Sequence, residues 1–241
     1  MVLMFGGGWK VTLNGALLGA LLVTPMCLLI VNFVCVPLDL PVVIGNVLGM
    51  AAGSVIAFVI CRRVPILVRS DYIAADKPLP LKPPTYGLGW SLRRVLADFS
   101  EAPFFGNEMA SLGLILGALL AYTLNPMSPV YGSGLLPQLI GAQALTSAIG
   151  IMIWRRQWML LGWYPTYIPL VSVVPAALLT HGGSWQVIAS SALLGALIAP
   201  PLACAIAKRL PADMHAYIGT VLSMAISTLL IIPLIGWLIA N

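Results

Sequence analysis

Seven stretches of this chain are too apolar, over too great a length, to lie against water. Residues 12–36, 38–61, 108–124, 135–154, 159–180, 185–207 and 214–240 each hold at most one Asp, Glu, Lys, Arg or His. A hydrocarbon core about 30 Å thick is crossed by about 20 helical residues. Lipid offers no partner to a backbone N–H or C=O, so each run must close its hydrogen bonds internally as a helix. The pattern predicts an all-α fold: a polytopic membrane helix bundle of about seven transmembrane helices, forming a single transmembrane domain over residues 1–241. Charge supports this. Only 8% of the residues are charged while 60% are hydrophobic, against about 25% charged in a soluble domain. The run at 108–124 is the shortest, and is either a full span or a shorter element tucked against its neighbours. The run at 159–180 carries Pro165, Pro169 and Pro175 and is expected to bend.

The net charge of +5 reports orientation. All twelve Lys and Arg fall in four places: Lys10, the interval from Arg62 to Arg94, Arg155 with Arg156, and Lys208 with Arg209. Alternating spans put these four places on one side, which the positive-inside rule makes cytoplasmic. The N-terminus is then inside and the C-terminus outside. The first run exceeds the ~7–15 residues of a signal-peptide core and is read as a retained span. No basic patch alternates with aromatic residues, so no nucleic-acid partner is expected. Cys27, Cys35, Cys61 and Cys204 sit in or beside apolar runs with no CxxC spacing and read as small apolar fillers.

The sizeable polar interval is residues 62–107, a cytoplasmic Pro-rich loop with seven basic and four acidic residues. Pro78, Pro80, Pro83 and Pro84 favour extended, polyproline-like backbone over 77–85. After it, Trp90, Val95, Leu96 and Phe99 are read as one helical face and Arg93, Arg94 and Asp98 as another. This suits either a helix lying in the membrane interface or a capped helix packed on the bundle.

Small residues recur every four positions at Gly45, Gly49 and Gly53, at Gly15 and Gly19, at Gly113 and Gly117, and at Ser191, Gly195 and Ala199. Such seams let helices approach closely. Prolines interrupt the runs at Pro25, Pro137, Pro175, Pro200, Pro201 and Pro233. Each removes a backbone donor and frees a carbonyl, either as a structural kink or as the broken helix that lines a transporter's binding site.

Uncharged polar residues mark a candidate substrate pathway. Gln138, Gln143, Thr146 and Ser147 lie in the fourth run, the last three on one face. Thr220, Ser223 and Ser227 share a face of the seventh run, Asn46 adds an amide in the second, and Pro200 and Pro201 break the sixth. These groups either line a polar pathway or bond between helices without transport. No acidic residue falls in the middle of a run. Glu108 opens the third run, as a first-turn carboxylate facing the helix dipole or as a gating or ion-coupling group. Asp213 and His215 precede the seventh run and make a poor catalytic pair. The two histidines, His181 and His215, are expected on opposite sides, and HExxH, GxSxG and phosphate-gripping loops are absent from the sequence. No enzyme activity, catalytic residue, metal site or cofactor is expected.

Gly8-Trp9-Lys10, Asn125-Pro126-Met127 and Leu161-Gly162-Trp163-Tyr164-Pro165, in that order, resemble segments of the YhfT-like family of uncharacterised bacterial inner-membrane proteins. The likeness covers most of this chain and the later part of that longer family, and the Pro-rich loop departs from it. It implies a transporter in the bacterial inner (cytoplasmic) membrane, and brings no catalytic residues. The sequence thus points to a secondary transporter, permease or permease subunit for a small solute. The alternative is a non-transporting scaffold or assembly subunit that docks a soluble partner through residues 62–107. The expected partners are the lipid bilayer, a small solute or ion, and a second copy or second membrane subunit.

Overall fold

The computed structural model describes residues 2–68 and 87–240. The Pro-rich segment 77–85 lies outside the described residues. Every regular element among those described is helical. Among the described residues, five helices are long and apolar enough to cross a membrane: Trp9–Cys35 (α2), Val42–Arg63 (α3), Leu136–Ile153 (α6), Trp185–Ala207 (α10) and Tyr217–Ala240 (α11). The chain fits a multi-pass membrane protein on that basis. A short helix, Val2–Phe5 (α1), precedes them. Two of the predicted runs return as shorter apolar helices, Glu108–Leu124 (α5) and Ile168–His181. At 1.5 Å per residue, α5 spans about 25 Å, which falls short of the hydrocarbon thickness.

The run at 159–180 departs from expectation. The helix Arg155–Leu161 (α7) ends at Gly162, which takes the left-handed conformation (φ 69°) that costs glycine nothing. Non-helical backbone follows. Helix then resumes as Ile168–Val171 (α8) and Val173–His181 (α9), broken at Ser172 (φ −127°, ψ −74°). Prolines cause this. Pro165 and Pro169 cannot donate to a preceding turn, and Pro175 cannot serve the Val171 carbonyl.

The chain forms two compact units, residues 1–84 with 205–225 and residues 85–204 with 226–241. In the first, α2 lies along α3 on the glycine seam. A Cβ placed on Gly49 would stand 2.5 Å from the Cys27 nitrogen; one on Gly53 would stand 2.9 Å from the Val23 Cα, and one on Gly45 2.6 Å from Val31 Cγ2. The three glycines therefore bring backbone against backbone. Two π-helical segments, Gly19–Val23 and Val31–Cys35, widen α2. Each ends two residues before a proline, Pro25 or Pro37, where a missing donor and ring crowding relax the ladder. Asn14 donates to the Leu67 carbonyl (2.8 Å). Arg62 at the end of α3 pairs with Asp213 (3.1 Å).

In the second unit, α6 packs against both α8 and the helix Leu88–Ala97 (α4). The seam at Gly195 is filled by Pro169, whose Cβ would stand 2.8 Å from an added methyl. The predicted seams at Gly19 and at Gly113 and Gly117 are different: nothing among the described residues comes within 4 Å of a Cβ at these positions.

Candidate functional site

Helix α4 packs against α6 with Arg94 turned inward, while Leu88 and Leu92, at 78% and 63%, and the Arg93 side chain are exposed. Trp90 joins that inward side, edge-on to Trp158 with ring centroids 5.7 Å apart. Arg94, Asp98 and Glu101 stand at i, i+4 and i+7, which is one helical face. Asp98 is completely buried. Asp98 lies outside the apolar runs and reaches the buried interior from the end of a short helix.

The Asp98 carboxylate is held by four donors. Its Oδ1 accepts from Arg94 Nε (3.1 Å) and Nη2 (2.7 Å). Its Oδ2 accepts from the hydroxyls of Ser147 (2.6 Å) and Thr166 (3.0 Å). A carboxylate has about four lone-pair sites, and all four are filled. Burial pushes the Asp98 carboxyl up from its ordinary range; the charge of Arg94, with the Ser147, Arg94 and Thr166 hydrogen bonds, pulls it back. The guanidinium is shared. Its Nη2 also donates to Glu101 Oε2 (2.6 Å), and its face lies 4.9 Å from the Trp158 ring centroid, a cation–π contact. Glu101 Oε1 accepts from Trp163 Nε1 (2.7 Å). Its carboxylate lies against Gly106, where φ is 54° and a Cβ would collide with it.

This cluster sits where backbone regularity is lost. Residues 164–170 are all buried, although Tyr164 to Tyr167 precede the restart of helix. Irregular backbone at such depth survives only when protein groups or a wet cavity satisfy it. Gln143 donates to the Leu170 carbonyl (2.9 Å), and Ser172 to the Ile168 carbonyl (2.8 Å). Thr166 packs on α6 at Gly150, where an added Cβ would meet its methyl at 3.5 Å. A second repair lies on α10. Pro200 cannot donate to the Ala196 carbonyl one turn back, and Trp154 Nε1 donates to it instead (2.8 Å). Trp154→Phe keeps an aromatic ring at the site, though a smaller one, and removes that donor. It should destabilise the protein by about 1–3 kcal/mol, the cost of a buried acceptor left unsatisfied, read from thermal unfolding in detergent.

The predicted pathway residues are divided between the two units. Gln143 reaches the broken segment directly at the Leu170 carbonyl, and Ser147 meets it through Asp98, which Thr166 also holds. Thr146 is buried but bonds to its own helix at the Ala142 carbonyl (2.6 Å), and Gln138 is exposed. Pro200 and Pro201 act through the carbonyl that Trp154 takes up. Ser227 is buried in the second unit, while Asn46, Thr220 and Ser223 belong to the first unit. Glu108 lies at the N-terminus of α5 in a pair with Arg93 (2.6 Å), its side chain one-third exposed. Asn107 caps that helix by accepting from the Ala110 N–H (2.8 Å).

Sequence reading missed Arg94, Asp98, Glu101 and Thr166 as site residues. The i, i+4, i+7 spacing was the available signal. Among the described residues no three His, Cys, Asp or Glu side chains stand together as a metal site. Between Asp98 and Glu101 it is a guanidinium that supplies the positive charge. In comparison with known proteins, no family model, no curated protein and no solved structure matches this chain.

Proposed function

We propose that this chain is a secondary transporter, a permease or a permease subunit for a small solute, with the broken segment 164–172 and its Asp98 cluster as the working centre. One observation carries the reading: a buried carboxyl side chain, Asp98, is bonded to the Thr166 hydroxyl of an unwound segment inside an apolar helical protein. Ionisable groups at such positions mark substrate or ion routes, and unwound helix pairs with them in transporter binding sites. Ser147, Thr166 and Asp98 set hydroxyl and carboxylate oxygens beside the proline breaks, bonded to one another and to Arg94, and a solute would have to exchange for those bonds. A polar solute leaving water needs such groups as replacements for its hydration.

The proposal includes about seven crossings, with N-terminus inside and C-terminus outside. The Arg62 and Asp213 pair supports it, since it joins the end of α3 to the connection that follows Lys208 and Arg209. The contact of His181 Nε2 with the Ile232 carbonyl (3.0 Å) also supports it, since it sets the connection after α9 beside the later part of α11. The likeness to YhfT-like proteins and the bacterial inner membrane belong to the same proposal.

The test is uptake by proteoliposomes across chemical classes of small solute. At least one class should accumulate above protein-free vesicles. Asp98→Asn keeps the shape and leaves Arg94 paired with Glu101, but weakens charge-assisted bonds that contribute about 1.5–3 kcal/mol. If that energy is used in the transporting state, flux should fall about tenfold or more while the protein still elutes as a folded particle. Folded protein that moves no solute in any class would overturn the reading.

A further inference from the structure

We infer that the turn 103–106 is a membrane anchor: Phe105 seats in the headgroup boundary of the bilayer, beside the start of α5, and ties the Asp98 segment to the lipid surface. The inference concerns where this unit meets lipid and stands apart from the transport reading.

Helix length comes first. α5 has 17 residues, about 25 Å of helix, against a hydrocarbon core about 30 Å thick. Met109, Leu112, Leu116 and Leu120 stand at i, i+3, i+7 and i+11, one helical face, and all four are exposed, Met109 at 76%. A water-facing surface seldom carries such a stripe; in a chain of apolar spans it faces acyl chains. A span shorter than the core needs apolar or snorkelling groups at its ends, or a thinner bilayer. Phe105, 68% exposed, supplies apolar surface just before the first turn, continuous with the stripe.

The level of water is marked at the same helix end. Arg93 pairs with Glu108 (2.6 Å), and both side chains reach solvent. Asn107 caps the helix by accepting from the Ala110 N–H (2.8 Å). Ions and large apolar groups thus stand exposed within a few residues of each other. That mixture suits the headgroup layer, where a ring reaches the acyl chains while charged groups keep water or phosphate. A partner helix seated here would have to desolvate the ion pair, at a cost its attraction repays only with excellent geometry.

The turn holds the ring outward. Phe104 takes φ 67°, a left-handed conformation that a bulky residue rarely adopts. Three main-chain bonds fix it. The Phe104 N–H donates to the Glu101 carbonyl (2.9 Å), and the Phe105 and Gly106 N–H groups donate to the Ser100 carbonyl (3.1 and 3.0 Å). The Ser111 hydroxyl of α5 donates to the Ser100 hydroxyl (2.8 Å). Ser100 lies two residues after Asp98, and Gly106 lies against the Glu101 carboxylate. The depth of Phe105 in lipid therefore bears on the segment that carries Asp98 and Glu101.

The experiment places the full chain, as Phe105→Trp, in nanodiscs of phosphatidylcholine brominated either high on the acyl chain, near the headgroup, or low, near its end. Its emission is read as variant minus wild type, because the chain has seven native tryptophans. It should lose more intensity to the high bromines than to the low ones, and less to aqueous acrylamide than to the high bromines. Met109→Trp, four residues further into α5, should shift its loss toward the low bromines. Strongest loss to acrylamide would put the turn in water. Protection from bromines and acrylamide alike would put protein on it, such as a second copy of this chain. Either result, or equal loss at the two bromine depths, overturns the anchor. Should Phe105→Trp fail to fold, Met109→Trp decides: loss to brominated lipid above that to acrylamide supports the anchor, and the reverse overturns it. No arm uses a solute, so a failure of the transport reading leaves this test unaffected.

Discussion

Arg94→Met should destabilise the second unit by about 3–5 kcal/mol near neutral pH, the range seen when one member of a buried ion pair is removed. Part of that loss should return on acidification. Methionine keeps an aliphatic stem, and the change removes the guanidinium together with its contact on the Trp158 ring. Without it, Asp98 is a fully buried carboxylate beside a second carboxylate, with two hydroxyls as its remaining donors. Asp98 already titrates above its ordinary range because burial disfavours its charge; losing the opposing pull of Arg94 moves it further up. A carboxyl raised in the folded state contributes stability that is fully present below its unfolded value, about 3.9, and is lost as pH rises through the folded value. The variant should therefore be least stable above its raised folded value and should gain as pH falls toward the unfolded one. Thermal unfolding in detergent at several pH values measures this. A uniform loss at every pH would mean that packing, and not the charge, is what Arg94 supplies.

Gly49→Ala and Gly113→Ala should move stability in opposite directions. Alanine is favoured over glycine in a helix by about 1 kcal/mol, and that gain is common to both. At Gly113 an added Cβ meets nothing within 4 Å among the described residues, so the gain should stand. At Gly49 the same atom would stand 2.5 Å from the Cys27 nitrogen and 2.6 Å from its Cα. Backbone cannot rotate out of the way as a side-chain tip can. The helices α2 and α3 would have to separate, loosening the contacts at Gly45 and Gly53 as well. Overpacking of this kind costs about 1–3 kcal/mol or more, and Gly49→Leu should fall further still. Paired melts of the two alanine variants test the assignment of the seam, and equal shifts would sink it.

The two glycine seams show why spacing informs only up to a point. Gly45, Gly49 and Gly53 and the pair Gly113 and Gly117 have the same four-residue repeat, yet among the described residues only the first set has a close partner. The repeat states that a close approach is permitted; it does not say which helix arrives. The cluster around Asp98 shows the complementary failure. Arg94, Asp98 and Glu101 lie on one face by spacing alone, but a charged face beside a polar loop reads as a solvated one. Its partners, Ser147 and Thr166, are 49 and 68 residues away from Asp98, and no local pattern announces them. Gln143 and Ser147 were recognisable as inward-facing because an uncharged polar group on an apolar helix has few other places to go. Thr146 shares their face and spends its hydroxyl on its own helix, a choice that side-chain geometry makes and spacing does not.

What the sequence determined by itself is the solvent and the secondary structure. Long runs without charge cannot be hydrated and cannot leave backbone groups open in lipid, so helices follow from composition and length. The prolines at 165, 169 and 175 likewise forbid a continuous fifth helix, because the missing donors are local facts. What only the tertiary structure decided is which polar groups meet. Lipid-facing and protein-facing sides of a membrane helix can be equally apolar, so hydrophobicity does not tell them apart. The inward face of α4 is set instead by where a buried carboxylate can find enough donors, and those donors belong to helices brought together only by folding.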